Sequence, residues 1–139
     1  MRECGKRDRA ESVTARGLGW SPALLVLLIG CSAPGEGALR SGKQAAARGD
    51  FPTAATFFEQ AAKEAPKSAE AQAMRGNALF AAGKADGAAV AWGAAITLDA
   101  HSPDALLGLA RVALGRGEPG AALAHLDGVT ERRSDEKAL

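Results

Sequence analysis

Gly49-Asp50-Phe51-Pro52-Thr53-Ala54-Ala55-Thr56-Phe57-Phe58-Glu59-Gln60-Ala61-Ala62-Lys63-Glu64-Ala65-Pro66 opens on a turn signal, runs through small and aromatic residues, and stops at a proline. Its landmarks return every 34 residues. Gly49, Gly83 and Gly117 share one position, and Ala54, Ala88 and Ala122 a second. Phe58, Trp92 and Leu126 share a third, and Ala61, Ala95 and Val129 a fourth. A fixed period in this range means stacked helical hairpins, each burying its face against the next. The expected fold is all-α: a solenoid of three helix-turn-helix hairpins over residues 35–68, 69–102 and 103–136, followed by a tail at 137–139.

Each copy reads as two helices around a glycine. In the first, a helix from about Glu36 to Arg48 meets Gly49-Asp50. Asp50 can cap the next helix, and Pro52 suits its first turn. Pro66 ends that helix near Ala65. In the second copy Ser68 caps a helix over Ala69–Ala82, Gly83 breaks it, and a partner runs over Ala85–Leu98. The third opens on Ser102-Pro103-Asp104: a cap, a first-turn proline and an acidic residue suited to the positive helix end. Gly117-Glu118-Pro119 turns the chain into a last helix expected to end near Thr130.

Composition agrees with helices and sets their packing. Hydrophobic residues make up 47% of the chain but aromatics only 4%, with no Tyr. Thirty of the 109 residues from Cys31 onward are Ala, a strong helix former that buries little area. Stability must therefore come from closely approached helices, and a marginal fold is expected. From Cys31 onward there are twelve basic and thirteen acidic side chains. No basic patch or aromatic–basic interleaving is present, so nucleic acid is not an expected partner.

These residues resemble the tetratricopeptide repeat (TPR) family. Gly49 through Pro66 follow that family's second-helix consensus. Gly42, Gly76 and Ala110, at the eighth position of each copy, are the small residues that let the first helix touch the second. Phe58, Trp92 and Leu126 would fill the space toward the next hairpin. Departures stand beside the match. The family prefers a large aromatic at the fourth position and Leu at the seventh, where copy one has Ala38 and Ser41 and copy two has Gln72 and Arg75. The first helices of these copies are thus expected to be weakly anchored. Ala100 and Ser134 stand where a terminating proline is usual, so helices can run on there. No clear cap closes the array after the third hairpin: the charged tail after Thr130 can extend the last helix but is short of a seventh, and a truncated gene model is the competing reading. The hairpin's exposed apolar surface would invite a partner or self-association.

The first 30 residues have a different character. Arg2, Lys6, Arg7, Arg9 and Arg16 precede the apolar run Ala23–Ile29, which ends in Gly30-Cys31. That order is a secretory signal, and the run is too short to span a bilayer, which takes roughly 20 residues. Leu28-Ile29-Gly30-Cys31 resembles the lipobox of bacterial lipoproteins. The resemblance implies cleavage before Cys31, lipidation of that residue, a membrane anchor, and a short linker over 31–34. Ser32, in place of the Asp that retains Gram-negative lipoproteins in the inner membrane, implies the outer membrane facing the periplasm. Glu3, Asp8 and Glu11 interrupt the basic region, which leaves a downstream start codon open. The competing reading makes residues 23–29 a buried helix or strand and Cys31 an ordinary thiol.

The residues of chemistry do not converge. His101 and His125 have no metal-ligand spacing to each other and no Cys partner. No nucleophile elbow is present, and Gly35-x-Gly37 and Gly115-x-Gly117 are isolated pairs. No enzyme, cofactor or metal is expected. The expected functional surface is the groove lined by the first helices, which in the TPR family holds a peptide or a partner protein. By register it contains Glu36, Leu39, Lys43, Ala46, Glu70, Ala73, Asn77, Phe80, Asp104, Leu107, Arg111 and Leu114. Lys43, Asn77 and Arg111, at the ninth position, should form a polar, mostly cationic ladder. Leu39, Phe80, Leu107 and Leu114 should supply apolar pockets beside it. Glu36, Glu70 and Asp104 form a parallel acidic row. Leu39, Asp104 and Gly108 stand where the family's carboxylate clamp wants Lys or Arg, so binding of chaperone tails is not expected. The function expected is a membrane-anchored periplasmic adaptor, of the kind that assists pilus, secretin or other envelope assembly. The alternative is a soluble intracellular TPR module without an anchor.

Overall fold

Six helices succeed one another along the chain: α1 (Glu36–Ala47), α2 (Phe51–Glu64), α3 (Ala69–Ala81), α4 (Ala85–Leu98), α5 (Pro103–Gly115) and α6 (Pro119–Lys137). They come from a computed structural model that describes residues 33–137. The leader, Cys31 and residues 138–139 lie outside the described residues. Among the described residues there is no strand, and no helix is long and apolar enough to cross a membrane.

The hairpin turns are three copies of one hydrogen-bonded motif. The N–H of Gly49 donates to Ala46 O at 2.9 Å and that of Asp50 to Ala45 O at 3.0 Å. Gly83 and Lys84 repeat this against Phe80 and Leu79, and Gly117 and Glu118 against Leu114 and Ala113. This pair of bonds satisfies the last free carbonyls of the first helix, and it requires a left-handed residue between them. Gly49, Gly83 and Gly117 supply it, with φ of 78°, 80° and 74°.

Starts and stops follow the sequence in most places. Asp50 accepts from the Thr53 N–H at 3.2 Å, and Ser68 from the Ala71 N–H at 3.1 Å. Ser102 departs from expectation. It occupies the N-cap position of α5, but its side chain makes no capping bond, and Pro103 with its fixed φ sets the start instead. The last helix also departs, running past Thr130 to Lys137. Ser134 stands where proline ends the first copy's second helix, and nothing in Glu131-Arg132-Arg133-Ser134 breaks a helix.

Helix pairs pack in chain order: α1 on α2, α2 on α3, α3 on α4, α4 on α5 and α5 on α6. The first helices α3 and α5 also touch, whereas α2 and α4 have no comparable contact among the described residues. This near-neighbour pattern is that of an α-solenoid. At its centre Trp92 is 1% exposed and Phe58 2%. Each lies against glycine backbone. A Cβ on Gly42 would stand 2.6 Å from the Phe58 ring, one on Gly76 2.5 Å from the Trp92 ring, and one on Gly108 2.3 Å from the same indole. Trp92 is thus held between α3 of its own hairpin and α5 of the next.

The weak anchors have particular replacements. Ala38 is buried against Ala61, Ala62 and Ala71, so the first copy substitutes close approach for bulk. Arg75 reaches Glu59 on α2 at 3.8 Å, and Lys63 meets the same carboxylate at 2.9 Å. The hydrogen bond from Lys63, with Arg75 nearby, holds the Glu59 carboxyl below its usual range. Gln72 has no such replacement, and its carbonyl oxygen is buried without a hydrogen-bond partner.

Glycine substitutions separate close approach from helix propensity. Gly76→Ala and Gly108→Ala should each destabilise by about 1–3 kcal/mol, because an overpacked core with an immobile Trp cannot yield. Gly93, in the middle of α4, has nothing within 4 Å of an added Cβ. Gly93→Ala should stabilise by about 0.5–1 kcal/mol. Urea melts followed by circular dichroism measure both.

Candidate functional site

Lys43 on α1, Asn77 on α3 and Arg111 on α5 follow one another along the exposed surface of the first helices, and cavities open between them. One of about 380 Å³ is lined by Glu36, Leu39, Arg40, Lys43 and Glu70. A second, of about 200 Å³, lies between Lys43, Ala46, Phe51, Phe58, Met74, Asn77 and Ala78. A third, of about 230 Å³, is bounded by Asn77, Phe80, Ala81, Trp92, Asp104, Leu107, Gly108 and Arg111. Lys43 belongs to the first and second, and Asn77 to the second and third. The three therefore lie in one row along a groove from Glu36 to Arg111, with Lys43 and Asn77 as the side chains between neighbours.

Leu39, Lys43, Asn77, Phe80, Leu107 and Arg111 all line this groove. Leu114 does not line these three cavities. It stands at the end of α5, 59% exposed. Ala73, expected on the groove, is buried in the core beside Trp92.

The polar ladder is more committed than its spacing suggests. Lys43 Nζ lies 2.8 Å from Glu70 Oε1. This pair is too exposed to add much stability, but it neutralises the first rung. The second rung is held from below, where Trp92 Nε1–H donates to Asn77 Oδ1 at 3.1 Å. That bond directs the Asn77 amide N–H₂ toward the groove as a donor. Arg111 makes no ion pair among the described residues and shares its cavity with Asp104. The groove thus offers a neutral donor between an ion pair and an Arg with a nearby carboxylate, rather than a cationic stripe.

The floor is where sequence reasoning fell short. Phe58 and Trp92 were expected as spacers between hairpins, yet both also reach cavity walls. Phe80 lies 5.6 Å from Trp92, centroid to centroid, at 44°, an aromatic contact that fixes one side of the third cavity. Met74 and Phe51 complete the floor of the second. The available signal was the sixth position: Met74 and Gly108 occupy it, and both meet the large residue of the preceding hairpin. Among the described residues no group of three or more His, Cys, Asp or Glu is placed to hold a metal ion.

Two models of the tetratricopeptide repeat match, one over residues 39–105 and one over residues 79–139. The chain carries tetratricopeptide repeats. Solved TPR structures share its fold. The second TPR of Spaghetti (RPAP3), bound to the HSP90 peptide SRMEEVD, is 18% identical with a TM-score of 0.66, over 70% of this chain and 90% of that one. The TPR2B domain of yeast Sti1, in complex with pHsp70, is 27% identical with a TM-score of 0.66, over 70% of this chain and 78% of that one. MamA is 16% identical with a TM-score of 0.71, over 77% of this chain and 63% of that one. No curated protein matches the sequence.

The bond between Asn77 and Trp92 ties groove to core. Asn77→Ala should leave the indole N–H unpaired and lower stability by about 1–2 kcal/mol. Asn77→Asp keeps an acceptor there and should lose less. Denaturant midpoints of the two variants measure the difference.

Proposed function

We propose that this TPR chain is a non-enzymatic interaction scaffold that holds a segment of a partner protein in the groove between Glu36 and Arg111. The observation that carries this reading is the succession of three cavities along the first helices, neighbours sharing Lys43 and then Asn77 as lining residues. A row of joined cavities suits an extended or helical segment that presents several side chains in succession. The TPR domains of Spaghetti and Sti1, bound to chaperone peptides, support the general mode. The ligand of this chain is of another class. Leu39, Asp104 and Gly108 replace the basic clamp residues, and Glu70 already neutralises Lys43. The segment expected has apolar anchors for the Phe58–Met74 and Phe80–Leu107 cavities and an acidic group for Arg111.

The finer reading is that of a lipoprotein anchored through Cys31 in the bacterial outer membrane, facing the periplasm and serving assembly of an envelope machine such as a pilus or secretin. It rests on the leader and the lipobox-like Leu28-Ile29-Gly30-Cys31. The same reading includes self-association through the C-terminal hairpin, whose outer face is open.

Crosslinking pull-down from native envelopes tests the groove. Arg111→Glu should reduce partner recovery about tenfold. Arg116→Glu, whose side chain pairs with Asp86 at 2.7 Å near the turn, should change it by less than twofold. Equal losses from both would overturn the groove. The anchor is tested separately by mass spectrometry of the mature protein. An N-terminal Cys31 bearing acyl chains is expected, Cys31→Ser should abolish it, and an unmodified N-terminal Met would refute it and favour the soluble module.

A further inference from the structure

One hydrogen bond sets the second copy apart from the other two. Asn77 and Trp92 hold the ninth and twenty-fourth positions of their repeat. The first copy has Lys43 and Phe58 at these positions, and the third has Arg111 and Leu126. Neither a Phe nor a Leu side chain can donate. Trp92 Nε1–H reaches Asn77 Oδ1 at 3.1 Å. An indole nitrogen donates and does not accept, so the contact fixes which way round the amide stands. Its oxygen faces the core and its N–H₂ faces away. Trp92 is 1% exposed and packed between Gly76 and Gly108, which holds the donor in place.

Asn77 itself is exposed and lines both the second and the third cavity. With its oxygen occupied, it offers the middle of the groove two donors, and neither is bonded to another described residue. A donor covered without an acceptor weakens binding, so a segment lying there has to present an acceptor. The backbone of a helical segment does not, because its interior carbonyls already accept from its own N–H groups. An extended backbone does. Its residues two apart point the same way, about 7 Å from each other. Such a pair can enter the second and third cavities while a carbonyl between them meets Asn77.

We infer that Trp92 is a positioning residue for recognition: by holding the Asn77 oxygen it makes the middle of the groove a donor-only point, which selects an extended partner segment with a free carbonyl over a helical one. The inference rests on the proposed groove and narrows its occupant to one backbone conformation.

The probe is a displayed library of random linear peptides, selected on the full chain in detergent. The tightest peptide is resynthesised with single amide-to-ester replacements, each of which weakens one carbonyl acceptor and removes the N–H beside it. Fluorescence anisotropy gives the dissociation constants. On the natural protein one ester should raise the constant about fivefold, the size of one neutral hydrogen bond. On Asn77→Asp, which still accepts from the indole but has no donor, the same ester should matter less than about twofold. It should also matter less with benzothienylalanine in place of Trp92, where a sulfur keeps the ring and removes only the N–H. Stapling the peptide into a helix should weaken binding about tenfold or more. Equal ester effects on all three proteins, or a stapled peptide that binds as tightly as the linear one, would overturn the inference while the groove stands, so long as Arg111→Glu still weakens binding. An ester effect lost on Asn77→Asp but kept with benzothienylalanine would overturn the role of Trp92. No enriched peptide, or peptides indifferent to Arg111→Glu, would overturn the groove and the inference with it.

Discussion

Everything else in this fold depends on an aromatic ring lying flat against helix backbone. Trp92 has Gly76 on one side and Gly108 on the other, and a methyl group at either would sit inside its van der Waals envelope. That contact links hairpin two to hairpin three, as Phe58 against Gly42 fastens the first hairpin together. With aromatics at 4% of the chain, these two rings supply the bulk that thirty alanines cannot. The alanines in turn permit the approach. Ala54, Ala61, Ala71, Ala88, Ala95 and Ala105 are fully buried, so helix axes close until the small residues of one meet the small residues of the next. Dispersion energy at that range falls quickly with any gap. This is why added methyl groups at Gly42, Gly76 and Gly108 are expected to be costly.

The repeat register made the architecture legible before any coordinates. Turn glycines, the caps at Asp50 and Ser68, and the proline stop after α2 all act locally, and local chemistry is what a single sequence states most directly. Errors arose where a competing constraint decided. Ser102 reads as a cap, yet Pro103 fixes the helix start without it. Ala100 and Ser134 both lack the stop that Pro66 provides, yet only α6 runs on, past Thr130 to Lys137, while α4 ends at Leu98. Ala73 was placed on the groove by counting. It sits in the core because a neighbour as large as Trp92 draws its face of α3 inward. Register assigns a side chain to a face of its own helix, and the size of its neighbours decides how deep that face lies.

The groove shows the same division. Which helices line it, and most of the residues on its wall, followed from position. Its electrostatics did not, because they depend on pairs formed between copies. Lys43 meets Glu70 across 27 residues of chain, and nothing in either helix alone announces the pair. Trp92 has two roles that sequence keeps apart. Its ring is core, while its N–H holds Asn77 and its edge closes the third cavity. Core packing and the wall of the third cavity therefore share one side chain. A ligand meeting such a surface finds the floor already built and pays mainly for ordering itself.

Asymmetry between the ends follows from the same economy of small residues. A repeat whose stacking surface is apolar on one side and glycine or alanine on the other can extend without limit unless something stops it. At the first copy the stop is polar: Arg40 and Gln44 replace the residues that would receive a preceding hairpin. At the third copy Thr130 replaces the Ala62 and Ile96 of the interior copies, Leu126 packs on Ala110, Ala113 and Ala122 of its own hairpin, and Leu123 stands exposed. Leu123 is 61% exposed beside a half-buried Leu126. Within the described residues the two outer faces therefore differ: the first is polar, and the last carries one large aliphatic side chain at its surface.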